Sequence, residues 1–251
     1  MGETANNNHK PIRQLSILST SDGFVFYHAD APASPVCQLT LEVPADFPDQ
    51  FVDIVTKNGW AGIQALSVVV SDHSDRFTIL PADITDPAEQ RTFFNSLFLP
   101  DQPGELIVQP LSDGKQLFCC EIPSIRLNCY KQLFPNLQVY SQAFQLAEWA
   151  FKEAGNHQQT TFVACKSGRV LELFVANTSG ILFSNRFLVK SISEATYFSL
   201  RCFEQLNLDP LTARTVVTGG KELAEALNQY IKLVEQAGFT GIPEQPLQLI
   251  S

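Results

Sequence analysis

Two stretches of this chain decide its fold. Residues 15–44 read LSILSTSDGFVFYHADAPASPVCQLTLEVP, and residues 162–191 read FVACKSGRVLELFVANTSGILFSNRFLVKS. Each stretch alternates apolar, β-branched and aromatic runs with short turns that contain Gly, Asp, Asn or Pro, which predicts a meander of three strands. In both halves the meander is followed by helices and a further strand. The sequence therefore predicts an α/β protein built from two similar lobes.

The first half carries more elements than the second. Its strands are predicted at 13–20, 24–28, 36–43, 66–71, 77–80, 105–110, 116–122 and 137–140. Its helices are predicted at 46–58, 86–97, 124–134 and 142–154, with Asp86 as the N-cap of the second. Gly155-Asn156 is predicted to end the last of these helices and to mark the boundary between the lobes.

The second half is predicted to repeat the plan with strands at 160–165, 169–176, 181–189 and 214–218. Ser191 and Glu194 have the spacing of a capping box, which places a helix start there. A last helix is predicted over residues 221–237 because apolar residues recur on one side of it, at Leu223, Leu227, Tyr230, Ile231 and Val234. The domain division is a disordered tail over residues 1–12, a first lobe with an inserted subdomain over 13–155, and a second lobe over 156–251.

Composition narrows the classes of function. The 251 residues include 17 Lys and Arg against 26 Asp and Glu, so the chain is acidic, and we expect no binding to nucleic acid. No apolar run approaches the roughly 20 residues of a membrane span, and the N-terminus lacks an apolar leader, so the expectation is a cytoplasmic protein without membrane insertion. The six cysteines form no C-x-x-C pair and are predicted to be reduced and buried, with Cys119 and Cys120 on opposite faces of one strand.

Local clusters of polar residues offer little chemistry. The four histidines are scattered without helical spacing, which gives no support for a zinc site, and no metal ligands are predicted. Asp72, His73 and Asp75 lie within SDHSD at residues 71–75. Because this segment separates two predicted strands, we expect a solvated turn.

Short motifs suggest a relationship. Leu15-Ser16-Ile17, residues 22–26 (DGFVF) and residues 217–220 (VTGG), together with the duplicated meander, resemble a bacterial family of uncharacterised proteins with the actin-like ATPase fold. The layout is similar to that of the PilM and FtsA proteins. The resemblance implies two ribonuclease-H-like lobes that face one cleft, with Gly219 and Gly220 where actin-like ATPases place glycines beneath an adenine nucleotide.

The residues that hydrolysis requires are missing from the pattern. In catalytic members the first strand of each lobe ends in an acidic residue that organises Mg²⁺ or the attacking water. Here those strands end in Leu18-Ser19-Thr20 and Ala164-Cys165-Lys166. We therefore expect no catalytic residues, no metal and no enzymatic activity.

Nucleotide binding without hydrolysis stays open. If ATP binds, the residues that favour an anion are Gly219, Gly220 and Lys221 at a helix start, with Ser167 and Gly168 in a turn of the second lobe. The same residue types also suit ordinary tight turns.

The preferred interpretation is a non-catalytic actin-like scaffold or adaptor without a cofactor that binds another protein, since the resemblance to PilM implies a groove for a partner peptide. The acidic surface would suit a basic partner segment. The alternative is an actin-like ATP-binding protein or ATPase with displaced catalytic groups. The sequence does not identify the partner, the pathway or the oligomeric state.

Overall fold

The computed structural model describes residues 14–20, 23–28, 35–41, 47–64, 66–99 and 103–237. The elements of the first half, in chain order, are β1 (Gln14–Thr20), β2 (Gly23–His28), β3 (Pro35–Thr40), α1 (Phe47–Lys57), β4 (Ser67–Asp72), β5 (Arg76–Pro81), α2 (Pro87–Leu97), β6 (Gly104–Pro110), β7 (Gln116–Pro123), α3 (Ser124–Leu133), β8 (Asn136–Ser141) and α4 (Gln142–His157). Those of the second half are β9 (Thr161–Ser167), β10 (Val170–Asn177), β11 (Gly180–Leu188), α5 (Ile192–Gln205), β12 (Arg214–Thr218), α6 (Lys221–Leu227) and β13 (Val234–Gln236).

The first lobe is built on a five-stranded sheet with the order β3-β2-β1-β4-β8. β1 pairs antiparallel with β2 and parallel with β4, so the meander is extended by strands that return through helices. Alternate residues of the sheet, such as Ile17 and Val70, face α1 and α3. Phe24, Phe26 and Phe51 pack there with ring centroids 4.9 to 5.9 Å apart. Burying these rings stabilises the helical side of the lobe.

The second lobe repeats the same order, β11-β10-β9-β12-β13, with β12 parallel to β9. Its apolar core lies between this sheet and the helices α5 and α6. The predicted capping box is confirmed: Ser191 Oγ accepts a hydrogen bond from the Glu194 N–H at 3.1 Å. The Glu194 carboxylate in turn accepts one from the Lys190 N–H at 2.6 Å.

Helix α4 and an inserted three-stranded sheet join the two lobes. α4 follows β8 directly and packs its apolar side on β9 and β10. A three-stranded sheet of order β5-β7-β6, inserted between β4 and α3, covers the same core from the other side. Phe118 and Cys120 of β7 point into that core, whereas Cys119 points to a smaller core with α2, as the alternation of a strand requires.

Two predicted helix ends were wrong. α4 continues through Gly155 to His157, because Gln158 rather than Gly155 takes the left-handed conformation, at φ 52°. The Gln158 side-chain amide also donates to the Gly155 carbonyl oxygen at 2.7 Å, which satisfies an acceptor in the last turn.

The helix predicted over residues 221–237 ends at Leu227. The chain then turns, and β13 pairs in parallel with β12, so the backbone groups on that edge of β12 are satisfied by a strand. Leu223, Leu227 and Ile231 are buried as the apolar spacing predicted, but Tyr230 is largely exposed.

The remaining predictions of elements hold to within two residues where the structure describes them. Asp86 caps α2 through the Ala88 N–H. All six cysteines are free, and all but the half-buried Cys37 are buried. Residues 1–13 and the segment 239–251 lie outside the described residues. In the part of the chain that is described, no helix is long and apolar enough to cross a bilayer.

Candidate functional site

The segment predicted as a solvated turn at residues 71–75 is instead largely buried. Asp72, His73 and Ser74 are at most 5% exposed. The prediction failed because α3, which follows much later in the chain, covers the end of β4. Arg126 Nη1 lies 3.0 Å from Asp72 Oδ1, and Tyr130 Oη donates to Asp72 Oδ2 at 2.9 Å. Burial, followed by the nearby Asp72 carboxylate, raises the pKa of Tyr130 well above its usual value.

The same segment reaches the second lobe through Arg186 of β11. The Arg186 guanidinium pairs with Glu172 of β10, lies 3.2 Å from Asp75 Oδ1 and 3.5 Å from His73 Nδ1. His73 Nδ1 is also 3.2 Å from the side-chain oxygen of Gln142. Burial lowers the pKa of His73, and the positive charge of Arg186 lowers it further. A neutral histidine therefore sits inside the junction between the lobes.

Aromatic packing also joins the inserted sheet to the second lobe. The Phe77 ring of β5 stacks on Phe174 of β10 with centroids 5.7 Å apart, and the Arg186 guanidinium lies over the Phe77 ring at 5.6 Å. At the other end of the inserted sheet, the Gln116 side chain forms two hydrogen bonds with the Ile181 backbone, of 2.9 and 2.7 Å. The lobes are thus joined by a continuous core and by paired polar groups.

The residues singled out for an anion lie at the carboxyl end of the second sheet. Gly219 packs directly on Lys166, because a Cβ added at Gly219 would lie 1.9 Å from the Lys166 carbonyl oxygen. Ser167 is half-buried and Gly168 exposed in the next turn, where the Lys166 amine donates to the Gly168 carbonyl oxygen at 2.8 Å.

The lysine that follows these glycines is already paired. Gly220 is half-buried and begins α6, and the Lys221 amine pairs with Glu225 on the same helix at 2.8 Å. Within the described ranges, no three His, Cys, Asp or Glu side chains are grouped so that they could hold a metal ion. Whether a nucleotide binds at Gly219, Gly220, Lys221, Ser167 and Gly168 stays a prediction.

A groove that the sequence did not reveal lies between the first lobe and the inserted sheet. Its volume is about 340 Å³. Two edge strands, β6 and β8, form its walls, and α3 forms its floor. The lining residues are Glu105, Ile107, Leu127, Lys131, Phe134, Pro135, Leu137 and Val139. Sequence could not have found it, because the groove depends on which strands end up at the sheet edges.

The groove is apolar inside and charged at its rim. Leu127 and Phe134 are buried beneath it, and half-buried Ile107, Leu137 and Val139 line its walls. At the rim the Lys131 amine lies 3.1 Å from the Glu105 carboxylate, and both side chains are more than half exposed. This combination suits an occupant with small apolar side chains and a polar backbone.

Comparison with known proteins assigns the family. Residues 3–234 match the model of a family described as "Protein of unknown function (DUF3822)". The chain belongs to this family. No curated protein matches the DUF3822 chain significantly.

Solved structures establish the fold of this DUF3822 protein. A Bacteroides thetaiotaomicron VPI-5482 protein with actin-like ATPase fold and unknown function is similar to it with a TM-score of 0.75 and 15% identity, over 89% of this chain and 90% of that one. Weaker similarities are to the PilM–PilN type IV pilus biogenesis complex (TM-score 0.49, 12% identity, 91% and 89% covered) and to an AlfA filament bound to AMPPNP (0.41, 12%, 88% and 88%). The predicted actin-like fold and the resemblance to an uncharacterised family are confirmed.

Proposed function

We propose that this DUF3822 protein is a non-catalytic actin-like scaffold that holds an extended segment of a partner protein in the groove between β6 and β8. The observation that carries the proposal is the pair of edge strands that face this groove. Each pairs with a neighbour on one side only among the described strands. Their outer N–H and C=O groups are therefore available to an added strand.

The side chains of the groove support the same occupant. An extended peptide presents every second side chain to one face, and Leu137 and Val139 of β8 are themselves two residues apart. Apolar side chains of the peptide would remove Leu137, Val139 and Ile107 from water. Main-chain hydrogen bonds would supply affinity, while these contacts would select the sequence.

Charge favours a basic partner. The chain carries a formal net charge of −9, which attracts cationic segments and repels acidic ones. Glu105 at the rim is already paired with Lys131, so a peptide lysine or arginine would compete for this carboxylate rather than find it free. We expect binding to weaken as the salt concentration rises.

The lobe junction supports a static role rather than a nucleotide cycle. An enzyme that closes around a nucleotide needs two lobes that move about a hinge. Here Phe77, Phe174 and Arg186 pack across the position where the lobes meet. Together with the strand ends at residues 18–20 and 164–166, which contain no acid, this favours a scaffold over a hydrolase.

The proposal can be tested in two steps. Binding peptides are first selected from a displayed random-peptide library, and hydrogen exchange of the full chain is then measured with and without a selected synthetic peptide. We expect protection of amides in β6 and β8. Leu137→Glu should weaken the peptide about tenfold, since a charge would enter the apolar wall. The control is Gln138→Glu, because neighbouring residues of a strand point to opposite faces.

Two results would overturn the proposal. One is that selected peptides protect a different region or bind Leu137→Glu and the parent protein equally. The other is micromolar binding of ATP–Mg²⁺ by isothermal titration with phosphate release, which would favour the alternative of an ATP-binding protein or ATPase. Thermal melting of both variants would show that each is folded.

A further inference from the structure

β11 is the longest of the described strands and forms an edge of the second sheet, with Gln116 of the inserted sheet bonded to the Ile181 backbone near its start. It spans nine residues and pairs with β10 on one side, with no described strand on the other. Apolar side chains are exposed along it, with Leu182 50% and Leu188 75% exposed, and Asn185 is exposed between them. A long apolar edge of this kind is a template for another strand.

The sequence of this edge reads almost the same in both directions. Residues 182–188 are LFSNRFL, with Leu182 and Leu188, then Phe183 and Phe187, at equal distances from Asn185. In an antiparallel pair of identical strands centred on Asn185, each residue from Phe183 to Phe187 faces the one at the mirrored position, whereas Leu182 lies at a bulge against β10. The edge is therefore complementary to itself, which is the property that an interface with two-fold symmetry requires.

The backbone of β11 is oriented for this pairing. The Val189 N–H donates inward to the Arg169 carbonyl oxygen at 2.8 Å, so the odd-numbered residues from Phe183 to Val189 point their hydrogen-bonding groups toward β10. The Arg186 N–H instead donates to the side-chain oxygen of Asn185 at 2.8 Å, which places it on the open side. Ser184 and Arg186 would thus exchange about four hydrogen bonds with the same residues of a second copy, and the Arg186 N–H would leave the Asn185 side chain to do so.

The neighbouring helix adds an aromatic surface beside the edge. Phe187 stacks on Phe198 of α5 with ring centroids 4.5 Å apart, and Tyr197 beside it is 58% exposed. Phe183 and Phe187 lie on this face of the sheet. Across the two-fold axis, Phe183 of one copy would face Phe187 of the other in a closely spaced, non-hydrogen-bonded position, where aromatic pairs are favourable.

We propose that two copies of this protein associate through antiparallel pairing of β11, with Asn185 on the two-fold axis, to form one continuous ten-stranded sheet. The charged groups of the strand do not oppose it. The Arg186 guanidinium is held on its own chain by Glu172 and Asp75. The interface lies in the second lobe and is separate from the groove between β6 and β8.

Sedimentation velocity over micromolar concentrations tests the dimer, with variants at Asn185. We expect the parent chain to form a concentration-dependent dimer. Asn185→Lys and Asn185→Asp should each weaken it at least about fivefold, because like charges would face each other across the axis. An equimolar mixture of the two variants should restore a dimer, seen by native mass spectrometry as a mixed pair. Asn156→Lys, at an exposed position of α4, is the control.

Covalent trapping gives an independent readout. Residues in a non-hydrogen-bonded pair have Cα atoms about 4.5 Å apart, within the range of a disulfide. Asn185→Cys in a Cys37→Ser background should therefore form a disulfide-linked dimer on mild oxidation.

Three outcomes would overturn the proposal: a parent chain that stays monomeric, variants that dimerise as the parent does, or two monomeric variants that do not recover when mixed. None of these would affect peptide binding in the groove, so the two proposals fail separately.

Discussion

Replacing Gly219 by alanine should destabilise the whole fold, whatever the protein binds. Gly219 has φ +82°, a left-handed conformation that costs a residue with a Cβ about 1–2 kcal/mol. The added Cβ would also lie 1.9 Å from the oxygen and 2.8 Å from the carbon of the Lys166 carbonyl. Backbone atoms cannot rotate away, so the carboxyl ends of β9 and β12 must separate. We expect a total loss of about 3 kcal/mol or more in the free energy of unfolding.

The adjacent glycine provides the control. Gly220 has φ 165°, which is extended backbone that any residue adopts, and an added Cβ would meet no atom within 4 Å. Gly220→Ala should therefore change stability by less than about 0.5 kcal/mol. Urea unfolding followed by circular dichroism measures both variants. At about 2–4 °C per kcal/mol for a chain of this size, Gly219→Ala should also lower the melting temperature by roughly 6–12 °C.

Equal effects of the two substitutions would refute this reasoning, because only Gly219 is pressed against Lys166. A stable Gly219→Ala variant that has lost ATP–Mg²⁺ binding would show instead that the glycine serves a nucleotide. The pair of variants thus separates the structural explanation of the TGG sequence from the functional one.

Three further predictions concern the buried carboxylate, the buried histidine and the cysteines. Asp72→Asn should lower the free energy of unfolding by about 3 kcal/mol, because it leaves the Arg126 charge unpaired. The control Asp75→Asn, at a carboxylate 74% exposed, should lower it by less than about 1 kcal/mol. Urea unfolding measures both variants, and the opposite order of effects would contradict the prediction. The lowered pKa of His73 means that the unfolded chain binds a proton more readily, so stability should be full above pH 6.5 and decline below it, and His73→Gln should flatten that decline. In native protein at pH 8, iodoacetamide should modify Cys37 first, because the other five thiols are buried. Burial raises the pKa of the Cys120 thiol, for example, to about 12. Early labelling of any other cysteine, found by mass spectrometry, would contradict this burial.

The repeated meander made the fold predictable. Local patterns report local structure, and turn residues such as Gly23 and Gly180 separate strands whose apolar faces are visible in the sequence. The capping box at Ser191 and the N-cap at Asp86 are likewise interactions between residues close in the chain. Signals of this range suffice for the order of elements and, with the resemblance to a known fold, for the architecture.

The failures share a physical cause, which is contact between residues far apart in the chain. Asp72 has the polarity of a turn residue, and only Arg126 and Tyr130, 54 and 58 positions away, make its burial favourable. The stripe ending at Val234 has helical spacing, yet pairing with β12 draws that residue into a strand. The groove walls at β6 and β8 are edges only because nothing else in the described chain pairs with them.

The position of α4 has a consequence for how the molecule denatures. Its first residue follows β8 without a linker, while the apolar side formed by Phe144, Ala147 and Ala150 is buried in a core shared with the second sheet. Unfolding of either half would therefore expose part of the apolar core of the other half to water. We expect calorimetry to record a single cooperative transition, and either half produced alone to be prone to aggregation.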